Sequence, residues 1–516
     1  TSNFIAGVNA GNSIASGGVQ NVCVGDEAGT AINTGDNNVA VGYAALDANS
    51  TGSQNVAIGT NALGVNTTAN NNVAVGYNAL DANLTGTQNV AVGFSALSSN
   101  TTANSNVAIG TNALAANTTG ANNTAVGENV MAANTEGVNN VALGYIALDA
   151  DTLGFQSTAL GYAALSAQNF TSSTPSQNVA VGYYAGVSVT TGVNNTLIGA
   201  HAGDALTDAD NNVAFGYQSL GADTLGSEST ALGKGTLTAQ NFTSATDTHN
   251  TAVGYQSGND ITVGVKNTLL GSRSGDALTD ADENVGIGYA TLSGDTLGSK
   301  SVAVGSGALE VQNFTSATDA YNTAVGYQSG NDITTGTRNT IMGSLGGDAL
   351  TEGGNNLVLG WNALGADTKG SRSVALGYSA LTTQNFTSAT NAYNVAVGFQ
   401  AGNAVTTGLT NTLVGSLCHD NLTTGDLNVA LGYDTRPSAV GVDSEIVIGN
   451  SVTGAGTNTV RIGTAGGTAT LGLDGSDTSW AAASDSRLKK DVTDSTAGLE
   501  FINDLRPITF KWNAKN

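Results

Sequence analysis

Three kinds of residue in this sequence are chemically able, by type or spacing. Cys418, His419 and Asp420 set a thiol, an imidazole and a carboxylate in a row, the groups used in nucleophilic catalysis. Neighbouring residues of an extended segment point to alternate faces, so the three are not expected to meet. Asp204, Asp208 and Asp210 recur as Asp276, Asp280 and Asp282. Clustered carboxylates suit Ca²⁺, but neither an EF-hand pattern nor a glycine-rich nonapeptide is present, and no metal site is expected. His201, His249 and His419 lack metal-ligand spacing and are expected at the surface. The third kind is an aromatic series. Gln-Asn-Phe-Thr-Ser recurs to place Phe170, Phe242, Phe314 and Phe386 at intervals of 72 residues. On a protruding loop these rings would be receptor-binding residues for a glycan or a protein; tucked inward, each would plug its coil or a subunit contact.

All of these residues are carried by one repeat. The motif Asn-Val-Ala-Val-Gly places a Gly at 25, 42, 59 and onward to 161 in steps of 17 residues. From 162 to 449 each group of four copies has one step of 21 and three of 17, a super-repeat of 72. A last step of 14 reaches Gly463 and brings the count to 26 copies. Such self-similarity is the signature of a stacked architecture. In Asn38-Val39-Ala40-Val41-Gly42 the two Val share one face of a short strand. Ala45 and Leu46 follow the Gly, then a polar turn such as Asn49-Ser50-Thr51-Gly52. One copy therefore reads as a coil: a strand, a bend at the Gly, a second short strand and a turn.

Coils stacked as parallel strands about 4.8 Å apart would make a rod of roughly 125 Å. Extra residues of the 21-residue copies belong in the turns, and Asn49, Asn66, Asn83, Asn100, Asn117 and Asn134 would stack as an Asn ladder. A single coil holds too few large side chains to offset the ordering of its backbone. Stacking and contacts between chains must supply the rest. Ala40 faces away from Val39 and Val41, and a column of small residues on that face would let chains pack closely. An oligomer follows.

Composition narrows the function. The chain has 516 residues, 70 of them Gly and only 3 Pro, with a net charge of −24. That charge excludes a nucleic-acid-coating role, since phosphates call for Lys and Arg. Cys23 and Cys418 form no disulfide framework, and Cys23 fills an Ala slot as a small buried residue. There is no run of 18 apolar residues, so no membrane insertion is expected. No cofactor is implied. The basic residues are unevenly placed: Lys234 is the first, and Arg487, Lys489, Lys490, Arg506, Lys511 and Lys515 crowd the end. The boundaries read as a lead-in over 1–20, repeats over 21–463 (21–161 simple, 162–449 super-repeats), a linker over 464–483 and a new module over 484–516.

The repeat, with Asn-x-Ala-Val/Ile-Gly and a following Ala, resembles the heads of trimeric autotransporter adhesins. That resemblance implies a left-handed parallel β-roll wound as a homotrimer, although the period here is longer. The fold class is therefore all-β, a β-solenoid of about 26 coils, with a small α+β segment at the C-terminus. In that segment Leu499, Ile502 and Leu505 fit one helical face ended by Pro507, and Ile508, Phe510 and Trp512 alternate as a strand.

Ser-Asp-x-Arg-Leu-Lys from Ser484, then Gly-Leu-x-x-Ile-x-x-Leu-Arg-Pro-x-x-Phe-x-Trp from Gly498, resemble the start of the intramolecular chaperone of phage endosialidases and tail fibres, the S74 peptidase family. The resemblance implies trimer assembly followed by self-cleavage, with Ser484 as nucleophile, Lys489 as base and Ala483–Ser484 as the scissile bond. A hydroxyl needs such a neighbouring base. The expected protein is thus a structural fibre that binds a host-surface glycan or protein, located in a virion tail fibre or at a cell surface. A bacterial trimeric adhesin head is the alternative. A polysaccharide-degrading tailspike would need paired carboxylates in a groove, and the regular coils show no insertion to house them.

Overall fold

Each motif forms a short strand, of three residues in all but the last two copies, and successive strands pair in parallel with no slip in register. The computed structural model describes residues 2–14, 17–473, 475 and 481–482. Val39–Val41 lies between Val22–Val24 and Val56–Ile58, each residue opposite its equivalent. The Val39 N–H donates to Asn55 O of the next coil at 2.9 Å, and the Gly42 N–H to Val24 O of the preceding coil at 2.8 Å. The same register holds in the super-repeats, where Thr323–Val325 pairs with Thr340–Met342. The described residues form an all-β solenoid without a helix.

The stack is longer at both ends than the motif count implies. Phe4–Ala6 pairs with Val22–Val24 in the common register, so a coil forms inside the segment 1–20 expected as a lead-in. Its motif, Asn3-Phe4-Ile5-Ala6-Gly7, puts a large residue at the strand centre and so hides among the others. At the far end Thr459–Thr464 pairs in parallel with the preceding strand but antiparallel with Gly467–Gly472, which in turn meets Ala481–Ala482. The stretch 464–483, expected as a linker, thus contributes two antiparallel strands that cover the edge of the last parallel pair.

The strand faces are the reverse of the sequence expectation. Ala40 is fully buried inside the coil, with Ala45 and Leu46 beside it, while Val39 and Val41 look outward and are half-buried. The lumen is too thin for the Val pair once Leu46 occupies it. The expected second strand is absent too. Residues after the Gly form tight turns in which alternate residues, such as Ala44 (φ 52) and Leu46 (φ 55), adopt positive φ. Their N–H groups still bond between coils, Leu46 N–H to Ala62 O and Leu63 N–H to Ala79 O, both at 3.0 Å. Gly42 has φ 133, and a Cβ there would sit 2.7 Å from the Gly59 carbonyl. Only Gly meets both conditions.

Two Asn columns line the interior. Asn66 Nδ2 donates to Asn49 Oδ1 at 2.9 Å, and the pairing continues through Asn83, Asn100, Asn117 and Asn134. The second column precedes each strand: Asn38 Oδ1 accepts from the Asn55 N–H at 3.0 Å, and Asn55 Nδ2 donates to Ala69 O at 2.8 Å. Both columns are buried, and stacking satisfies their amides.

In the super-repeats the first column changes. Asn134 is followed in register by Asp151, Gln168, Val189 and Leu206, all buried, and then by Asp223, Gln240, Ile261 and Leu278. Where the column turns aliphatic, the Leu slot turns to Gly, except in the coil of Leu422, where His419 fills it. A Cβ on Gly186 would lie 2.7 Å from Leu197 Cδ1 and 3.0 Å from Leu165 Cδ2. Volume removed from one slot is thus refilled from the next, which keeps the interior close-packed.

Candidate functional site

The 21-residue coils are the places where the repeat departs from itself. Their added residues leave the stack as a short loop, clamped by pairing of Gly154–Phe155 with Thr174–Pro175. The loop is anchored by a buried carboxylate. Asp151 Oδ1 accepts from the N–H of Gly154 at 3.0 Å and of Phe170 at 3.3 Å, and Oδ2 accepts from Gln168 Nε2 at 2.6 Å. Gln168 Oε1 then accepts from Asn178 Nδ2 at 2.9 Å, linking the loop to the second Asn column. The pattern recurs with Asp223 and Gln240, Asp295 and Gln312, and Asp367 and Gln384. Burial pushes the carboxyls of Asp151, Asp295 and Asp367 above the ordinary range, against the pull of the glutamine and backbone donors.

The rings of Phe170, Phe242, Phe314 and Phe386 are turned in and only 5–6 % exposed. An exposed aromatic at a loop tip is therefore not what these coils present, because each Phe plugs the base of its loop. The exposed residues are Thr171, Ser172 and Ser173 at the tip.

The aromatic surface lies elsewhere, at positions the motif reading passed over. The residue after the motif Gly is aromatic in many coils, and Tyr43, Tyr77, Phe94, Tyr145, Tyr162 and Tyr183 are 41–54 % exposed. Their rings stack along the rod: Tyr77 on Phe94 at 5.3 Å, Tyr162 between Tyr145 and Tyr183, and Tyr378 between Trp361 and Phe399. Lys234 sits between Tyr217 and Tyr255. These residues share the outward face with the outer residues of each strand, which are mostly Val, Leu, Ile or Thr, so a largely apolar band, interrupted by polar residues such as Glu128 and Ser272, follows the stacked coils. The alternation Val-x-Val-x-Tyr was the available signal.

The remaining candidates resolve into packing. The Cys418 thiol is buried and pushed up to about 11 by desolvation, and it accepts from Thr435 Oγ1 at 3.1 Å. His419, expected at the surface, is fully buried; Nδ1 lies 3.2 Å from Thr435 O and Nε2 has no partner. Burial holds its ring below the usual imidazole range. Asp204 pairs with His201 at 2.8 Å, and Asp208 and Asp210 accept from Thr191 Oγ1 and the Val193 N–H of the preceding coil. Among the described residues no group of three His, Cys, Asp or Glu is placed to hold a metal ion.

Ser484 and Lys489 lie outside the described residues, a short step beyond the strand Ala481–Ala482. The comparison with known families speaks to this segment: residues 484–516 match the family "Chaperone of endosialidase" (Peptidase_S74). No curated protein matches the chain. The molecule therefore combines a β-solenoid with the chaperone-of-endosialidase motif at its C-terminus. Among the described residues no helix is long and apolar enough to cross a membrane.

Proposed function

We propose that this protein is the shaft and receptor-binding portion of a homotrimeric fibre of the phage tail-fibre type, assembled with the help of its C-terminal module. The carrying observation is the family match beginning at Ser484, just past the strands that close the solenoid. Chaperones of this kind are assembly modules, which accords with the exposed apolar band. Exposed apolar and aromatic residues repeated along one face mark a contact between proteins. Three such bands, one from each chain, would meet along the axis and supply the burial that a single thin coil lacks. The acid exterior, with net charge −24, would keep finished rods apart.

Release of the module would proceed at Ala483–Ser484. The Ser484 hydroxyl oxygen adds to the Ala483 carbonyl carbon while the neutral Lys489 amine takes its proton. The Ala483–Ser484 C–N bond then breaks, and the proton passes to the departing Ser484 nitrogen. Water hydrolyses the resulting ester, which leaves a carboxylate on Ala483 and a free amine on Ser484. A neutral Lys is required, as for other lysine bases.

Light scattering should give three times the chain mass, and a monomer would overturn the fibre reading. In a precursor that carries the module, wild type should yield two bands on a denaturing gel and Ser484→Ala one. Identical bands would remove Ser484 from the chemistry. The partner on the host surface, a glycan or a protein, is identified by a binding array on the processed trimer.

A further inference from the structure

One edge column of the rod carries a charge pattern that the fibre reading leaves unused. It is formed by the residue two positions before each strand, in register from coil to coil. In the N-terminal coils this column holds uncharged Gln, Asn or Ser, as at Gln54, Asn71, Gln88 and Ser105. Farther along it reads Lys266, Glu283, Lys300, Tyr321, Arg338, Asn355, Arg372 and Tyr393. A cation thus occupies every second coil, at a spacing of about 9.6 Å. All eight residues are at positive φ, between 51 and 65.

The column is held in order by its own members. Tyr321 lies between Lys300 Nζ at 5.5 Å and the Arg338 guanidinium at 5.9 Å. Arg372 sits over Tyr393 at 5.4 Å and donates to its hydroxyl. Such cation–π contacts restrain a side chain without neutralising it. Lys266 and Lys300 do meet carboxylates, Glu283 at 3.7 Å and Asp319 at 2.6 Å. Arg338 and Arg372 meet none among the described residues.

The adjacent column points the same way. The residue just before this one is an Asp in three super-repeats: Asp210, Asp282 and Asp426, whose carboxylates accept from the preceding coil at 2.7–2.8 Å. In the super-repeat between Arg338 and Arg372 it is Gly354. Its N–H keeps the common bond, to Ser371 Oγ at 3.0 Å, but the negative charge is gone. So where the two unpaired arginines stand, the neighbouring acid has been removed, in a molecule that is otherwise strongly acidic.

We infer that the column from Tyr321 to Tyr393 is a binding site for a linear acidic polysaccharide that lies along the rod and carries one carboxylate for every two sugar rings. Two coils span about the length of a two-ring unit, so Arg338 and Arg372 would each take one carboxylate. Asn355 between them would hydrogen-bond the intervening uncharged ring. The exposed edges of Tyr321 and Tyr393 would bound the segment. This inference rests on the host-surface reading above and gives that surface a chemical class.

The test uses the full chain on surfaces bearing hyaluronan, which has one carboxylate per disaccharide, or uncharged dextran. Hyaluronan should be retained and dextran not, with retention falling as salt screens the contact. Arg338→Gln with Arg372→Gln should weaken retention about tenfold or more. Arg273→Gln, outside the column and paired with Asp276, should leave it unchanged. Melting curves matching the wild type would show that each variant is folded. Equal retention of both polymers, or a double variant as tight as wild type, overturns the site. Mass and self-cleavage do not involve these arginines. A cleaving trimer that ignores hyaluronan would lose the site and keep the fibre, and a monomer with arginine-dependent retention would do the reverse.

Discussion

The first third of the solenoid and the super-repeats that follow share a backbone but fill it differently. In the simple coils the strand centre is Ala, the next inner slot Leu, and the last inner slot an Asn that bonds to its copies above and below. In the first three super-repeats two coils of every four place aliphatic residues such as Val189 and Leu206 in that last slot and Gly in the middle one, and the other two carry the Asp and Gln of the loop clamp. The comparison separates what the fold requires from what it tolerates. The corner Gly, the Asn before the strand and the parallel register are nearly constant. The interior needs only a constant volume and satisfied polar groups.

The largest expected effect comes from emptying an aliphatic coil. Leu269→Ala should cost about 2–5 kcal/mol locally through the cavity it leaves, read by hydrogen exchange of amides in that coil and its neighbours. Gly186→Leu alone should cost about 1–3 kcal/mol by overpacking. Combining it with Val189→Asn and Leu197→Ala recasts the coil in the simple pattern and should recover much of that loss. If the triple variant exchanges faster than Gly186→Leu, volume exchange is not what separates the regions. Asn83→Ala should cost about 1–3 kcal/mol, because it removes bonds to Asn66 and Asn100 and strands their buried amides.

The smallest effect is a pH response of opposite sign at two places. Asp151, Asp295 and Asp367 are raised above the ordinary 3.8. Their coils are therefore most stable below that value and lose the margin as pH rises through the raised values. His419 is lowered from 6.5, so its contribution is present above 6.5 and is lost as pH falls through the lowered value. Acidification should slow exchange at Gly154 and Phe170, after correction for intrinsic rates, and speed it around His419. A uniform response would remove both assignments.

Much of this was legible in the residues. The step of 17, the stacking of Asn49 through Asn134, the burial of Cys23 and the placement of extra residues in turns all followed from spacing. The inside and outside of the strand did not. Val-Ala-Val shows that two faces differ, but the larger residues point inward only if the lumen has room, and Leu46 fills it from another part of the coil. The Phe series left its direction open for a related reason. Its spacing showed a loop, while its direction depended on Asp151, Asp223, Asp295 and Asp367, whose Gln and Phe partners stand in the next coil. The edge column was hidden because its members alternate between charge, aromatic ring and amide and share only a position.

The stacking direction carries a mechanical consequence. Hydrogen bonds between neighbouring strands run along the rod, so tension between its ends pulls on the bonds of one coil junction at a time rather than shearing many together. Each junction is nearly equivalent, from Val39–Val41 on Val56–Ile58 to Val374–Leu376 on Val395–Val397. A coil that peels away lets its chain extend by about 3.3–3.6 Å per residue, more than ten times the height it occupied in the stack. A tethered fibre of this design yields in regular steps under load and lengthens long before its chain is taut.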